Sequence, residues 1–424
     1  MSAGPTVEGF RCRVCGAEVD VATAHPWRCP NATAADRHHV LDIVRRPGPF
    51  EAADDADPLV AYGGELAWQS FALANGMTVD ATHALVRQLD ARVAAVDGTG
   101  FRTTPFARAD KLSADLGFAA DGGVWVKDET GNVAGSHKAR HLVSVLLHLK
   151  AAELVGLGGR ESGLAIASCG NAALAAATLA AADHRELEVF VPTWASSAVL
   201  EALHRLRATV TACPRRDDDP PGDPCVHRFR EAVGAGAVPF SVQGPENALA
   251  LDAGRTLGWE ICDGAGGALD RVFVQVGGGA LAACVGRAFA DAGVHTRLHA
   301  VQAAGCAPME RAWRKARALG VAHAAEHWEE CMWPWEDEPC SAADGILDDE
   351  TYDWLGVLGA VERDGASVVV APEAAIVEAR ELGVASTGIE ASATGTAGLA
   401  GLLAIRDEIG DGERVAVVFS GVER

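Results

Sequence analysis

A chain of 424 residues, 49% hydrophobic and 22% charged, has an ordinary globular composition and enough length to bury a sizeable core in two or three domains. Its formal charge of −22 repels phosphate backbones and anionic lipid surfaces, which argues against nucleic-acid and membrane partners. The start, Met1-Ser2-Ala3-Gly4-Pro5, has no charged region leading into an apolar stretch, so the eleven cysteines imply a reducing, cytoplasmic setting with some thiols reserved for metal.

The first fifty residues stand apart. Cys12-x2-Cys15, with Gly16 to tighten the turn, converges two thiolates, and Cys29 supplies a third. His38 or His39 would complete a tetrahedral zinc site, and His39 is preferred because apolar Val40-Leu41 follows it. Six Arg against five Asp/Glu leave this ribbon without a basic patch, so its metal is expected to be structural. An acidic linker, Glu51 to Asp57, follows. Residues 67–95 then read as one or two helices with Leu73, Leu85, Val86 and Leu89 on an apolar stripe.

From Val124 onward short apolar strands alternate with helices. Strands are expected at 124–127, 164–167, 189–191, around Val210, and at 272–276, 298–301, 367–370 and 415–419. Helices are expected at 142–149, 172–181, 198–207 and 280–292, with one long helix at 246–262. This alternation predicts an α/β fold, with parallel sheets flanked by helices in two lobes. Residues 51–135 and 241–424 are expected to form a large domain and 136–240 a small one, with the ribbon of 1–50 appended. The uncharged run 163–182 is too rich in alanine, and too interrupted by Ser168, Cys169, Gly170, Asn171 and Thr178, to be a membrane span. Residues 326–353 carry eleven acids and no Lys or Arg, which reads as a solvated loop whose Trp328, Trp333, Trp335 and Tyr352 could also form a lid or subunit contact. His323, His327 and Cys331 have helical metal-ligand spacing but lack the acid of an HExxH site.

Four stretches sit where a strand gives way to a turn or helix. In Gly135-Ser136-His137-Lys138-Ala139-Arg140, the lysine falls at a helix start, where free N–H groups and the helix dipole disfavour its ammonium form. Taken alone it would be a solvated side chain; His137 beside it is either a second acid/base or a packed histidine. Ser168-Cys169-Gly170-Asn171 precedes a helix whose N-terminus suits a carboxylate, so these four are candidate substrate-binding residues, with Cys169 read as packed rather than nucleophilic. Gly277-Gly278-Gly279-Ala280-Leu281 forms a nest of N–H groups for an anion. The strand after it, Leu298 to Val301, ends in Gln302 rather than an acid, so a monophosphate fits better than NAD. Ser420 follows the last strand.

Together these stretches resemble the fold-type II family of pyridoxal-5′-phosphate enzymes, which includes threonine synthase, serine/threonine dehydratase, cysteine synthase and the tryptophan synthase β subunit. The likeness runs from about residue 100 to residue 424. Thr104-Pro105, Lys127-Asp128-Glu129-Thr130, Ser168-x-Gly170-Asn171-Ala172-Ala173-Leu174 and Glu390-Ala391 look most like the threonine synthase and dehydratase branch, where a similar N-terminal cysteine cluster also occurs. The resemblance implies that Lys138 forms the aldimine with pyridoxal phosphate and moves the Cα proton, and that Asn171 bonds the cofactor's O3′. It further implies that Gly277, Gly278, Gly279, Ala280 and Leu281 hold the phosphate, that Ser420 meets the pyridine nitrogen, and that the protein is a homodimer. A serine at that nitrogen limits the life of a carbanion, which suits α,β-elimination from a small amino acid. The alternatives are β- or γ-replacement, as in threonine synthase, a nicotinamide oxidoreductase using the glycine nest, or a catalytically silent interaction protein. Ala139 stands where threonine synthases carry an acid, which argues against phosphohomoserine as substrate.

Overall fold

The apolar runs read from the sequence become the strands of two sheets in a computed structural model that describes residues 6–33, 36–48, 50–159 and 162–424. Residues 1–5, on which the reading of the chain's start rests, lie outside the described residues. Three sheets form from β1 Val7–Cys12, β2 Glu18–Asp20, β3 Leu41–Arg45, β4 Phe106–Arg108, β5 Gly123–Asp128, β6 Leu164–Ala167, β7 Leu187–Val191, β8 Thr209–Ala212, β9 Val238–Pro239, β10 Arg271–Gln275, β11 Arg297–Ala303, β12 Val368–Ala371 and β13 Arg414–Phe419. The largest has the order β12-β11-β10-β13-β5-β4, parallel throughout except for the antiparallel edge strand β4. A second, all-parallel sheet has the order β8-β7-β6-β9. The third is a small antiparallel ribbon, β2-β1-β3.

Both parallel sheets are covered by helices, which explains why their central strands are continuous apolar runs rather than alternating ones. All five residues of β10 are buried, as are five of the six in β13. The helix Lys138–Leu154 is buried for most of its length, with Leu142, Val143, Val145, Leu146 and Leu147 fully enclosed. Each of those aliphatic side chains contributes about 1.5–3 kcal/mol through removal from water. The run 163–182 is β6, a loop and the helix Asn171–Ala182, and among the described residues no helix is long and apolar enough to cross a membrane.

Two expectations need correction. The single helix expected at 246–262 is instead a 3-10 turn, Ala248–Leu251, followed by a helix at Arg255–Gly264. Asp252 breaks the run because its carboxylate accepts from the backbone N–H groups of Ala67 at 2.8 Å and Trp68 at 3.1 Å, so it caps a distant helix rather than continuing its own. Residues 326–353 are not a solvated loop throughout. Cys331, Met332, Ala343, Ile346 and Glu350 to Asp353 are buried. Arg37, far away in sequence, pairs with Glu350, so an acid counted as solvated is neutralised by a tertiary partner.

Candidate active site

The turn after β5 is held by its own side chains. Asp128 Oδ1 accepts from the Thr130 N–H at 2.8 Å, and Asn132 caps the 3-10 turn Val133–Gly135, with Gly135 at φ +61°. The His137 N–H then donates to Ser420 O at 3.0 Å, and the helix begins at Lys138 itself. That bond joins the lysine stretch to the residue after β13. Burial lowers the Lys138 ammonium below its ordinary value, against the opposing pull of Asp348 and Asp353. His137 is buried, its ring edge-on to His141 with centroids 5.5 Å apart, and burial drives its pKa well down, so it is a neutral packed imidazole.

The other stretches meet it at the carboxyl ends of their strands, where ligands bind in open α/β sheets. β6 delivers Ser168, Cys169 and Gly170, and a helix starts at Asn171. Burial lifts the Cys169 thiol to about 11, which keeps it protonated and unreactive. The Asn171 carbonyl accepts from Arg424 Nε at 2.7 Å. β10 delivers Gly277–Gly279, and the helix Ala280–Asp291 follows, so its unpaired N–H groups lie at the nest. Glycine is required here: Gly279 has φ +97°, and a Cβ on Gly277 would lie 2.9 Å from Ile346 Cα. β13 delivers Ser420, whose Oγ accepts from Gln275 Nε2 at 2.6 Å. Reading the sequence assigned Gln275 only to a strand; its polar side chain inside an apolar run was the available signal.

Lys138, residues 168–171, 277–281 and Ser420 all line one cavity of about 860 Å³. The acidic stretch supplies one of its walls through Asp344, Asp348, Asp349 and Tyr352, which sequence reading left out of the site. Asp348 lies against the nest: a Cβ on Gly277 would come within 2.3 Å of Asp348 Oδ2. Burial raises the Asp348 carboxyl to about 6 and that of Asp353 to about 7. Asp223 lines the same cavity, and Arg215 is the one arginine that does.

Beneath the lysine, Arg140 anchors the helix start. Its guanidinium forks onto Glu129, at 2.8 and 2.9 Å, and onto Glu260, at 2.6 and 3.0 Å, and also reaches Thr256 Oγ1 at 2.8 Å. Lys127 pairs with Glu260, and Thr104 donates to Glu129. All of these charged groups are buried. Two cations therefore face two anions, so the network is neutral and densely bonded.

In the ribbon, donor atoms of Cys12, Cys15, Cys29 and His39 lie within 4.8 Å of one another. Cys12 Sγ is 3.3 Å from His39 Nδ1, and Asp36 Oδ2 is 2.9 Å from the other ring nitrogen, an arrangement that fixes the imidazole's tautomer and orientation. His38 points elsewhere and packs on Trp328, with ring centroids 4.3 Å apart. His323 and His327 are exposed beside Glu326 and Glu330 while Cys331 is buried, so these three do not converge, and the ribbon set is the only such group among the described residues.

A family model described as "Pyridoxal-phosphate dependent enzyme" matches residues 98–421. No curated protein matches significantly in sequence. Among solved structures, maize serine racemase is 19% identical with a TM-score of 0.60, covering 80% of this chain and 92% of its own. A processed threonine deaminase isoform from Solanum lycopersicum is 20% identical with a TM-score of 0.60, covering 82% and 86%. Diaminopropionate ammonia lyase from Escherichia coli is 17% identical with a TM-score of 0.61, covering 81% and 89%. At these identities the likeness is one of fold.

Proposed function

The chain belongs to the pyridoxal-phosphate-dependent enzymes, and we propose that it is a lyase that removes a β-substituent from a small amino acid by α,β-elimination. Lys138 is the covalent anchor of the cofactor and the base for the Cα proton. The residues fit the group. A nest at a helix N-terminus, where a Cβ on Gly277 would clash and Gly279 has φ +97°, suits a phosphate. When bound, pyridoxal phosphate supplies the conjugated ring that takes up the electron pair left at Cα.

The observation that carries the reading is Ser420, which lines the cavity with its Oγ held by Gln275 Nε2. A hydroxyl at the ring nitrogen gives a hydrogen bond but no full charge, which favours prompt loss of a leaving group over long-lived carbanion chemistry. Burial lowers the Lys138 ammonium below its ordinary value, the direction a base needs. Asn171, its carbonyl already engaged by Arg424, has its amide N–H groups free to bond the cofactor's phenolic oxygen. Ser168 to Gly170, ahead of a helix N-terminus, bind the substrate carboxylate. The metal centre of Cys12, Cys15, Cys29 and His39 is structural zinc.

The cavity wall also bears on the substrate. Asp223, Asp344, Asp348 and Asp349 outnumber Arg215, so a side chain bearing a second carboxylate or a phosphate is repelled. A screen of amino acids for 2-oxoacid and ammonia release is expected to give turnover with small hydroxy or amino side chains and none with aspartate. Aspartate as the best substrate would overturn this reading of the wall, and no release from any amino acid would overturn elimination itself.

Asp348 gives a prediction on the cofactor. Its carboxyl is neutral below about 6 and charged above, so its repulsion of the phosphate grows as pH rises through that value. Asp348→Asn is therefore expected to tighten pyridoxal phosphate binding at pH 7 by roughly tenfold, the equivalent of one pKa unit. Titrations of cofactor fluorescence at pH 5 and pH 7 check this, and equal affinities for wild type and variant at pH 7 would refute it.

A further inference from the structure

The ribbon touches the rest of the protein at the back of the phosphate nest. Arg37, two residues before His39, grips both carboxylate oxygens of Glu350, with Nη2 2.6 Å from Oε2. Arg13, between Cys12 and Cys15, donates to Leu355 O at 3.3 Å and pairs with Asp42 at 2.8 Å. Both contacts fall on one short segment, 350–355. The opposite side of that segment carries the nest: the Asp353 N–H donates to Gly278 O at 2.8 Å. A Cβ on Gly278 would lie 3.1 Å from Tyr352, and one on Gly279 would lie 2.9 Å from Thr351 Cγ2. The segment is thus held between the residues flanking the metal ligands and the backbone that would cradle a phosphate.

We infer that the ribbon is a clamp on the phosphate nest: metal held by Cys12, Cys15, Cys29 and His39 fixes Arg13 and Arg37, and these position Glu350 to Leu355 against Gly278. Arg37 and Glu350 are positioning residues that touch neither substrate nor cofactor. Without metal the four ligands lose their common tie and the two arginines lose their fixed origin. The nest then relaxes and its N–H groups no longer converge. Closely packed segments of this kind transmit small shifts because they are not continuously deformable. Coupling between two sites is reciprocal, so bound cofactor must tighten the metal by the same factor that metal tightens the cofactor.

The test rests on the family assignment and on Lys138 only in that the protein must bind pyridoxal phosphate. Affinities for pyridoxal phosphate and for pyridoxal, which lacks the phosphate, are measured on zinc-loaded and chelator-stripped full-length protein. Stripping is expected to weaken pyridoxal phosphate about tenfold, within the usual range of coupling between sites, and to leave pyridoxal unchanged. Glu350→Gln in zinc-loaded protein is expected to reproduce that selective loss and to abolish any further effect of stripping, and Arg37→Ala to do the same with a lower melting temperature, since Glu350 is then buried without its cation. Zinc release to a chromogenic chelator should slow when pyridoxal phosphate is added. Equal weakening of both ligands, no weakening on stripping, variant effects that simply add to those of stripping, or a protein that takes up no zinc would each overturn the clamp. A global loss of fold would weaken both ligands alike.

Discussion

Lys138→Ala should purify without the visible absorbance of a bound cofactor and turn over its substrate about 10³–10⁵-fold more slowly, a loss of about 4–7 kcal/mol in transition-state stabilisation. The loss is large because one amine does two jobs in the proposed reaction: it holds the cofactor and it moves the Cα proton. Its setting explains why no neighbour takes over. His137 is neutral and bonded to Ser420 O, and His141, held by burial to about 3, donates from Nδ1 to Ala250 O at 2.7 Å. Borohydride reduction followed by peptide mapping should place the pyridoxyl group on Lys138 in the wild type and nowhere in the variant. A variant with full absorbance would end the proposal. Its melting temperature should barely move from that of cofactor-free wild type, because the lysine makes no ion pair among the described residues.

Arg140→Ala, two residues on, should do the opposite and act first on stability. It leaves Glu129 and Glu260 buried with Lys127 as their only cation among the described residues. Removing one partner from a buried charge network costs about 3–5 kcal/mol, because the remaining charges stay out of water without compensation. For a chain of this size that is a fall in melting temperature of about 3–6 °C. Arg140→Lys should recover little, since an ammonium cannot fork onto two carboxylates at once. Thermal unfolding checks this directly. An unchanged melting temperature for Arg140→Ala would mean that the network holds nothing together.

The contrast between these neighbours shows what could be read from residues alone. That Lys138, Asn171, the Gly277 nest and Ser420 would meet at one cavity was legible because each is a short local pattern at the end of a predicted strand, and the topology of parallel sheets brings such ends together. The ribbon was legible for a similar reason, since ligand spacing within one small segment constrains the site. The segment 344–353 was not. Counting its acids gives a solvated loop; only Arg37, 313 residues from Glu350, and the glycines against which Thr351 and Tyr352 pack make it a wall of the cavity. Gln275 and Asp252 were missed in the same way, one polar side chain inside an apolar strand and one acid inside an apparent helix, each committed to a partner distant in sequence.

The place of β13 has a consequence for how the protein is made. This strand, residues 414–419, is not an edge strand; it lies between β10 and β5 and pairs with both. Until it emerges from the ribosome, the main sheet is two separate halves with open edges, and the turn that carries Lys138 lacks the Ser420 carbonyl that receives the His137 N–H. The nascent chain must therefore carry an unpaired edge on β5 from residue 128, and on β10 from residue 275, until residue 414 is made, the condition under which intermediates aggregate and chaperones are needed. Closing the sheet is also a contact of high sequence separation, which makes it slow. Assembly of the cavity that holds Lys138 and Ser420 thus waits for β13 to pair.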